Sequence, residues 1–448
     1  MMSPMMSIDE QLRVAGFDDE AASSRAGMFA AVVAAHAQMT GVRPAAAWFV
    51  PGRIEVFGKH TDYAGGRSLV AAVPRGFAIV ASPRADGRVR ALDARWRERV
   101  ELDPAEESVR FHGWANYVAV VARRFARNFP GATLGADLSF SSDLPRAAGV
   151  SSSSALVVGV GSALADRGRL HERQEWTQAI GTSLDLAGYL GAVENGLTFG
   201  SLAGTSGVGT HGGSEDHTAI LTCRAGRVHA YAYVPVRPQG EATMPADWRF
   251  VVMTSGVHAD KAGTAKDRYN RASLATRALL AVWRGLGADA PTLAAALDSG
   301  PGALEALRAA IGDGRDGFPG DDLRRRLAHF VDEDARVPQA LAAFAAGDRA
   351  ALGELSTATQ RDAEMMLGNQ IPETVRLAAA ARECGAFAAS SFGAGFGGSV
   401  WALAPADRAG ALAEDWRAAY AAAYPQHHHI ESFATRPAPG VTRIELSE

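Results

Sequence analysis

Residues 144 to 156 read Leu144-Pro-Arg-Ala-Ala-Gly-Val-Ser-Ser-Ser-Ser-Ala-Leu156. The alternating run before them, Ala136 to Phe140, predicts a strand, and the small apolar run from Ser151 through Ala163 predicts a helix. Between the two, Gly149 turns the chain and Ser151, Ser152, Ser153 and Ser154 open the helix. The first N–H groups of a helix are unpaired and lie at the positive end of its dipole, so such an opening receives phosphate oxygens. One serine would be an ordinary N-cap. Four in a row after a glycine favour a phosphate loop, whose hydroxyls can add hydrogen bonds or touch an accompanying Mg²⁺. The spacing is not that of a Walker A loop, since no lysine follows, nor that of a dinucleotide fingerprint.

Two other segments carry chemistry. Ser391-Phe-Gly-Ala-Gly-Phe-Gly-Gly-Ser399 precedes a strand-like run, and its Gly395 and Gly397 serve either tight turns or a close backbone approach to the same phosphates. Pro51-Gly-Arg-Ile-Glu-Val-Phe-Gly-Lys-His-Thr-Asp-Tyr63 sets Arg53, Lys59, His60 and Asp62 between apolar strands, a density suited to a polyhydroxylated or charged ligand and also to a solvated turn. His60 and Asp62 lack a third metal ligand nearby, and His427 to His429 read as surface.

The rest of the chain sets limits. At 448 residues it is long enough for two domains, with a boundary expected near residue 230 (1–230 and 231–448). A net charge of -4 without a basic run excludes the footprint of a nucleic-acid binder. Neither a signal peptide nor an apolar run of membrane-spanning length is read, and Cys223 and Cys384 form no CxxC pair, so a cytoplasmic protein is expected. Further expectations are a helix pair over Asp9 to Met39, helices over Trp114 to Phe129 and Glu172 to Glu194, and a mobile loop or lid over Gly196 to Gly213. Strands are expected over Ala219 to Thr222, Val228 to Val234, Arg249 to Met253 and Ser399 to Leu403.

Together the three segments resemble the GHMP kinase superfamily and, within it, the galactokinases. Gly52 to Tyr63 is similar to the pattern G-R-x-N-x-I-G-E-H-x-D-Y, with Glu55 for Asn, Phe57 for Ile and Lys59 for Glu. Pro145 to Ser154 resembles P-x-x-x-G-L-S-S-S-A with Val150 for Leu and Ser154 for Ala, and Gly393 to Gly398 resembles G-G-G-F-G-G with Ala394 for the second Gly. Val193-Glu194-Asn195 resembles the helix end that precedes a G-I-M-D-Q string, and Gly213-Ser-Glu-Asp216-His217 occupies the later position, after a longer gap and with His217 for Gln. Tyr269-Asn270 resembles a Y-N-x-R string.

The resemblance implies an α+β fold of two domains, the first like ribosomal protein S5 domain 2 and the second ferredoxin-like, with the site between them. It implies ATP as co-substrate and Mg²⁺ as cofactor. ATP phosphates would lie over Gly149, Ser151 to Ser154, Gly395 and Gly397, and the metal would be held by Ser152, Ser153 and Glu194. Asp216 would be the base, with Glu215 as its competitor, and Arg53 its partner. A sugar would lie against Lys59, His60, Asp62 and Tyr269, its anomeric hydroxyl taking the phosphoryl group. The cation at Lys59 leaves two readings open: a contact with a sugar carboxylate such as that of galacturonate, or a pair with a neighbouring acid such as Glu55 and an unchanged galactose site. A non-catalytic regulator binding sugar and ATP is the remaining alternative. The partners expected are a small sugar and ATP, with no nucleic acid and no membrane, in a monomer or homodimer.

Overall fold

In the computed structural model the described residues are 6–145, 148–257 and 264–446; Arg146 and Ala147 of the serine loop, and Lys261, lie outside them. The chain opens with helices α1 (Ile8–Ala15) and α2 (Asp19–Thr40). A long antiparallel hairpin follows, β1 (Ala46–Phe57) and β2 (Arg67–Pro83). Bulges after Pro51 and Glu55 bracket the stretch of β1 that carries Arg53 and Glu55, the usual way a strand re-aims side chains beside a site. Then come β3 (Val89–Asp93), β4 (Glu98–Leu102), α3 (Trp114–Asn128), β5 (Ala136–Ser142) and α4 (Ser152–Arg167). They are followed by α5 (Gln174–Ala179), α6 (Ser183–Asn195), α7 (Glu215–Thr222), β6 (Arg227–Ala232) and β7 (Arg237–Thr243).

One edge of β2 is shared: Phe77 to Pro83 pair with β5, and Arg67 to Val70 pair with β6. The chain's last strand, Thr442–Ile444, pairs with β1 and closes the other edge. Side chains of β1 divide between the two faces, as a strand's period of two requires. Ala47 and Phe49 pack with Phe29 and Val32 of α2, whereas Val50 and Ile54 join Val121 of α3 and Val157 of α4. Gly159 lets α4 lie directly on the sheet, since a Cβ there would come 2.0 Å from Ile79 Cδ1. That contact sets the height of the serine loop at the helix start.

The second half adds β8 (Trp248–Thr254), α8 (Thr264–Gly285), α9 (Leu293–Leu297), α10 (Ala303–Ala310) and a short hairpin, β9 (Gly314–Arg315) with β10 (Phe318–Pro319). Next are α11 (Gly320–Ala346), α12 (Arg349–Asp362), α13 (Pro372–Glu383), β11 (Ala388–Phe392), β12 (Ser399–Pro405), α14 (Ala409–Ala423), β13 (Ser432–Thr435) and β14 (Thr442–Ile444). The antiparallel sheet β11-β12-β8-β13 carries Leu377 of α13 and Trp416 of α14 on one face. Its other face belongs to the same apolar core as the first sheet: Trp401 stacks edge-on against Phe57 of β1 at 6.0 Å. Among the described residues no helix is long and apolar enough to cross a membrane.

Four expectations need correction. Ala219 to Thr222 is the end of helix α7, whose Thr218 and Thr222 hydroxyls donate to the carbonyls four residues back; a short apolar run cannot be told from a strand by periodicity alone. Glu172 to Glu194 is broken at Gly181-Thr182, where the Thr182 hydroxyl accepts the Asp185 N–H and caps a new helix. Residue 230 falls inside β6, and the first sheet runs on to Thr243. Finally, the Gly196 to Gly213 segment is tied down along its length. Arg124 donates to the carbonyls of Leu197 and Leu202, Asn128 to that of Ala203, and Asn270 to that of Gly209, while Val208 N–H donates to the Glu194 carbonyl.

Candidate active site

The serine loop and the later glycine loop meet. Gly149 has φ +72° and Ser151 φ +62°, left-handed conformations immediately before α4 that only glycine adopts freely. A Cβ on Gly393 would lie 2.9 Å from the Gly149 carbonyl oxygen, so the two loops pack backbone against backbone. The N–H groups of Ser152, Ser153 and Ser154 lie in the first turn of α4, before the helix's own ladder begins with Ala155 donating to the Ser151 carbonyl. The Ser151 hydroxyl is buried without a hydrogen-bond partner among the described residues. Free N–H groups, a helix dipole and an orphaned hydroxyl make a cradle that fits a phosphate group. Gly395 (φ +80°) and Gly397 (φ +131°) belong to the facing loop, and Gly395 lies against Asn369, where any Cβ would clash at 2.3 Å.

Beside this cradle, Arg53, His60, Asp62, Glu194, Asp216 and Tyr269 line one cleft, so six side chains from β1, the β1–β2 loop, α6, α7 and α8 converge. Arg53 is its hub. Its guanidinium donates to the Gly149 carbonyl, lies 2.6 Å from Asp216 Oδ1 and 3.4 Å from Glu215 Oε1. Burial disfavours the charge on Arg53, but Asp216, Glu215 and Glu55 outweigh it and raise its pKa further. A permanent cation thus holds the first turn of α7 against the serine loop.

Glu215 and Asp216 differ in exposure. Glu215 is 4% exposed, and burial, then the Glu55 carboxyl, push it well above the usual carboxylate range. Its role is that of a group behind Arg53. The Asp216 side chain is 19% exposed, contacts Arg53, and lies 3.2 Å from Ser154 Oγ. Ser154 Oγ also donates to Glu194 Oε2 at 2.9 Å, and His217 Nε2 lies 2.9 Å from that same oxygen. It is therefore Ser154 that brings a hydroxyl to Glu194, while Ser152 and Ser153 are only half-buried at the helix start.

On the opposite wall, burial pushes the Asp62 carboxyl up to about 6. Its Oδ2 accepts the Glu215 N–H, and Gly213 approaches so closely that a Cβ would lie 2.2 Å from that oxygen. His60 (φ +58°) sets Nδ1 2.9 Å from Tyr63 Oη and its ring 5.3 Å from that of Tyr269. Burial raises the Tyr269 phenol well above its usual range, so it stays neutral.

Lys59 is the exception and corrects the reading of a cation facing a ligand. Its side chain is fully buried outside the cleft, with Nζ 3.1 Å from Thr359 Oγ1 and 2.9 Å from Ser390 Oγ. Burial lowers its pKa, opposed chiefly by Glu333 and then Glu55. Glu333 was invisible to any local pattern, since it lies more than 270 residues from the loop it serves. Glu55, Asn195, Thr210 and His217 also line the cleft without having been singled out for it. Glu55 and His217 each replaced a residue of a recognisable pattern, and those replacements were the available signal.

A carboxylate and a hydroxyl facing a phosphate cradle are hard oxygen donors of the kind that Mg²⁺ takes, the ion keeping phosphate and water as its other ligands. Among the described residues no three His, Cys, Asp or Glu side chains converge into a preformed metal cage.

Comparison with known proteins gives the family. A galactokinase galactose-binding signature matches residues 34–83, the GHMP kinases N terminal domain residues 116–190, and the GHMP kinases C terminal residues 340–422. The galactokinase of Chloroflexus aurantiacus is 30% identical over 393 residues, 85% of this chain and 89% of that protein. That of a Roseiflexus species is 30% identical over 419 residues, 91% and 95% of the two chains. Among solved structures, Lactococcus lactis galactokinase complexed with galactose superposes with a TM-score of 0.75 at 23% identity, covering 93% of this chain and 99% of that one. A mevalonate kinase gives 0.53 at 13% identity, over 88% and 99%. The architecture is the α+β GHMP kinase fold, and the chain belongs to the galactokinase family.

Proposed function

We propose that the protein is an ATP-dependent, cytoplasmic sugar kinase that transfers the γ-phosphoryl group of ATP to the anomeric hydroxyl of galactose. The observation that carries this is the Arg53 hub, which joins the serine-loop carbonyl of Gly149 to the Asp216 carboxylate in one cleft. The ATP phosphates lie over the N–H groups of Ser152 to Ser154, with Gly149, Ser151, Gly395 and Gly397 shaping the backbone around them. Glu194 and Ser154, with Ser152 and Ser153 beside them, would hold Mg²⁺, which would neutralise phosphate charge there. The sugar lies against Asp62, His60 and Tyr269, whose hydroxyl, imidazole and carboxyl groups suit a polyol.

Phosphoryl transfer is mainly positioning and charge stabilisation. Asp216 accepts the proton of the C1 hydroxyl as its oxygen bonds to phosphorus and the bond to the ADP oxygen breaks. Arg53 orients Asp216 and keeps it ionised.

The hexuronate reading loses its support, because Lys59 is engaged elsewhere. Arg53, the guanidinium that lines the cleft among the described residues, is already engaged by Asp216 and Glu215 and is not turned to a sugar carboxylate. The regulator reading has no observation in its favour, since cradle, base and arginine are all present. The test is ADP release with MgATP against galactose, galacturonate, glucuronate, arabinose and a hexose phosphate, with the phosphorylated position read by phosphorus NMR. Turnover of galactose at C1, with the anionic sugars inert, is expected. ATP binding without turnover of any of them would sink the proposal.

A further inference from the structure

The loop from Gly58 to Arg67, which carries His60 and Asp62, has little structure of its own. Gly58 has φ +97° and His60 φ +58°, and its internal support is short-range: a 3-10 turn over Asp62–Ala64, and Thr61, whose N–H and hydroxyl both donate to the Gly58 carbonyl and whose hydroxyl also reaches that of Arg67. Its placement comes from α11. Arg326, Phe330, Glu333 and Asp334 recur at i, i+4, i+7 and i+8, one stripe of that helix, and all four meet the loop. Phe330 and Asp334 abut Gly66, where a Cβ would lie 3.0 and 3.1 Å from them, and Asp334 Oδ1 also accepts the Arg67 N–H at 2.6 Å.

The other two members are buried charges, 4% and 0% exposed, and each holds the backbone beside a cleft residue. Glu333 Oε1 accepts the Gly58 N–H at 2.9 Å and the Lys59 N–H at 3.2 Å. Arg326 Nη2 donates to the His60 carbonyl at 2.5 Å and to Tyr63 Oη at 3.1 Å. Glu333 is itself fixed by the Thr359 hydroxyl and by Arg336 Nη1 at 3.0 Å, and Lys59 Nζ donates in turn to that Thr359 hydroxyl. Burial would raise the Glu333 carboxyl, but Lys59 and its other partners hold it down at about 2.

We propose that Glu333 and Arg326 are positioning residues for the acceptor-binding loop, setting His60 and Asp62 from behind, and that Lys59 is tied to Glu333 through the Thr359 hydroxyl and is not a ligand of the sugar. Neither side chain reaches the substrate, so their effect passes through the backbone they hold. The proposal rests on the sugar-kinase reading only in naming the substrate. A swapped pair, Lys59→Glu with Glu333→Lys, would not restore the wild type, because a lysine cannot accept the two N–H groups.

The test compares Glu333→Ala, Glu333→Gln and Arg326→Met with the wild type, using MgATP and galactose. Glu333→Ala and Arg326→Met should raise KM for the sugar at least about tenfold with KM for ATP held within about twofold. Glu333→Gln keeps a carbonyl oxygen for the two N–H groups and should lie nearer the wild type. In the ligand-free protein, amide exchange over residues 58–60 should rise in Glu333→Ala. Equal changes in both KM values, or an unchanged sugar KM with protected amides, would overturn the proposal. If Glu333→Ala does not fold, Arg326→Met and Glu333→Gln carry the same comparison. If the wild type leaves galactose untouched, the sugar-kinase reading fails, while the exchange measurement still judges the positioning role.

Discussion

Asp216 and Asp62 show how the same side-chain chemistry is put to different uses by its neighbours. Asp216, the proposed base, touches a buried guanidinium at 2.6 Å. Asp216→Asn keeps the shape but removes the proposed proton acceptor, so turnover should fall by at least about a thousandfold with the melting temperature nearly unchanged. A fully active variant would remove Asp216 from the mechanism. Asp62 is instead raised from 3.8 to about 6, mainly by burial. A carboxyl raised in the folded state contributes stability that is complete below pH 3.8 and is lost as pH rises through about 6. The shift corresponds to about 3 kcal/mol at most. Asparagine imitates the protonated form, so ligand-free Asp62→Asn should gain in melting temperature relative to the wild type between about pH 5 and pH 7. A difference that does not vary with pH would contradict this account.

Among the elements, α4 with its serine loop depends on a partner loop far away in sequence. Gly393 combines φ +76° with a backbone contact that leaves 2.9 Å for a Cβ against the Gly149 carbonyl. Gly393→Ala must therefore push the β11–β12 loop away from the serine loop. The expected result is a rise of about tenfold in KM for ATP with a smaller change for the sugar, measured by steady-state kinetics. An unaltered KM for ATP would mean that the two loops do not share the nucleotide. Helices α6 and α7 are likewise joined by a segment that the chain treats as part of its framework, since Arg124, Asn128 and Asn270 all bond to its carbonyls.

For the molecule as a whole, the two sheets are not separate bodies in their packing. Phe57, Trp401 and Phe250 pass apolar contact from β1 to the second sheet, and β14 returns to the first. Heat or denaturant should unfold the chain in one transition, coincident by near- and far-ultraviolet circular dichroism. Two separated transitions would show that the halves are independently stable.

The local chemistry was legible in the residues alone. The strand, Gly149, four serines and a helix stand in the order the residues predicted, and the patterns around Arg53, His60, Asp62, Glu194 and Asp216 named side chains that do meet in one cleft. Those signals are carried by backbone conformation and residue type over a dozen positions, which is the range that a sequence pattern can express. Ala219 to Thr222 lay below that range, because four apolar residues fit either period. The direction of Lys59 lay beyond it. A lysine in the sugar-binding pattern reads equally as a substrate contact or as the partner of a nearby acid until Glu333, Thr359 and Ser390 are seen around it, and those groups arrive from two helices and a strand of the other half. Burial of a charge is tolerable only where partners are assembled to meet it, and that assembly is a property of packing across the fold.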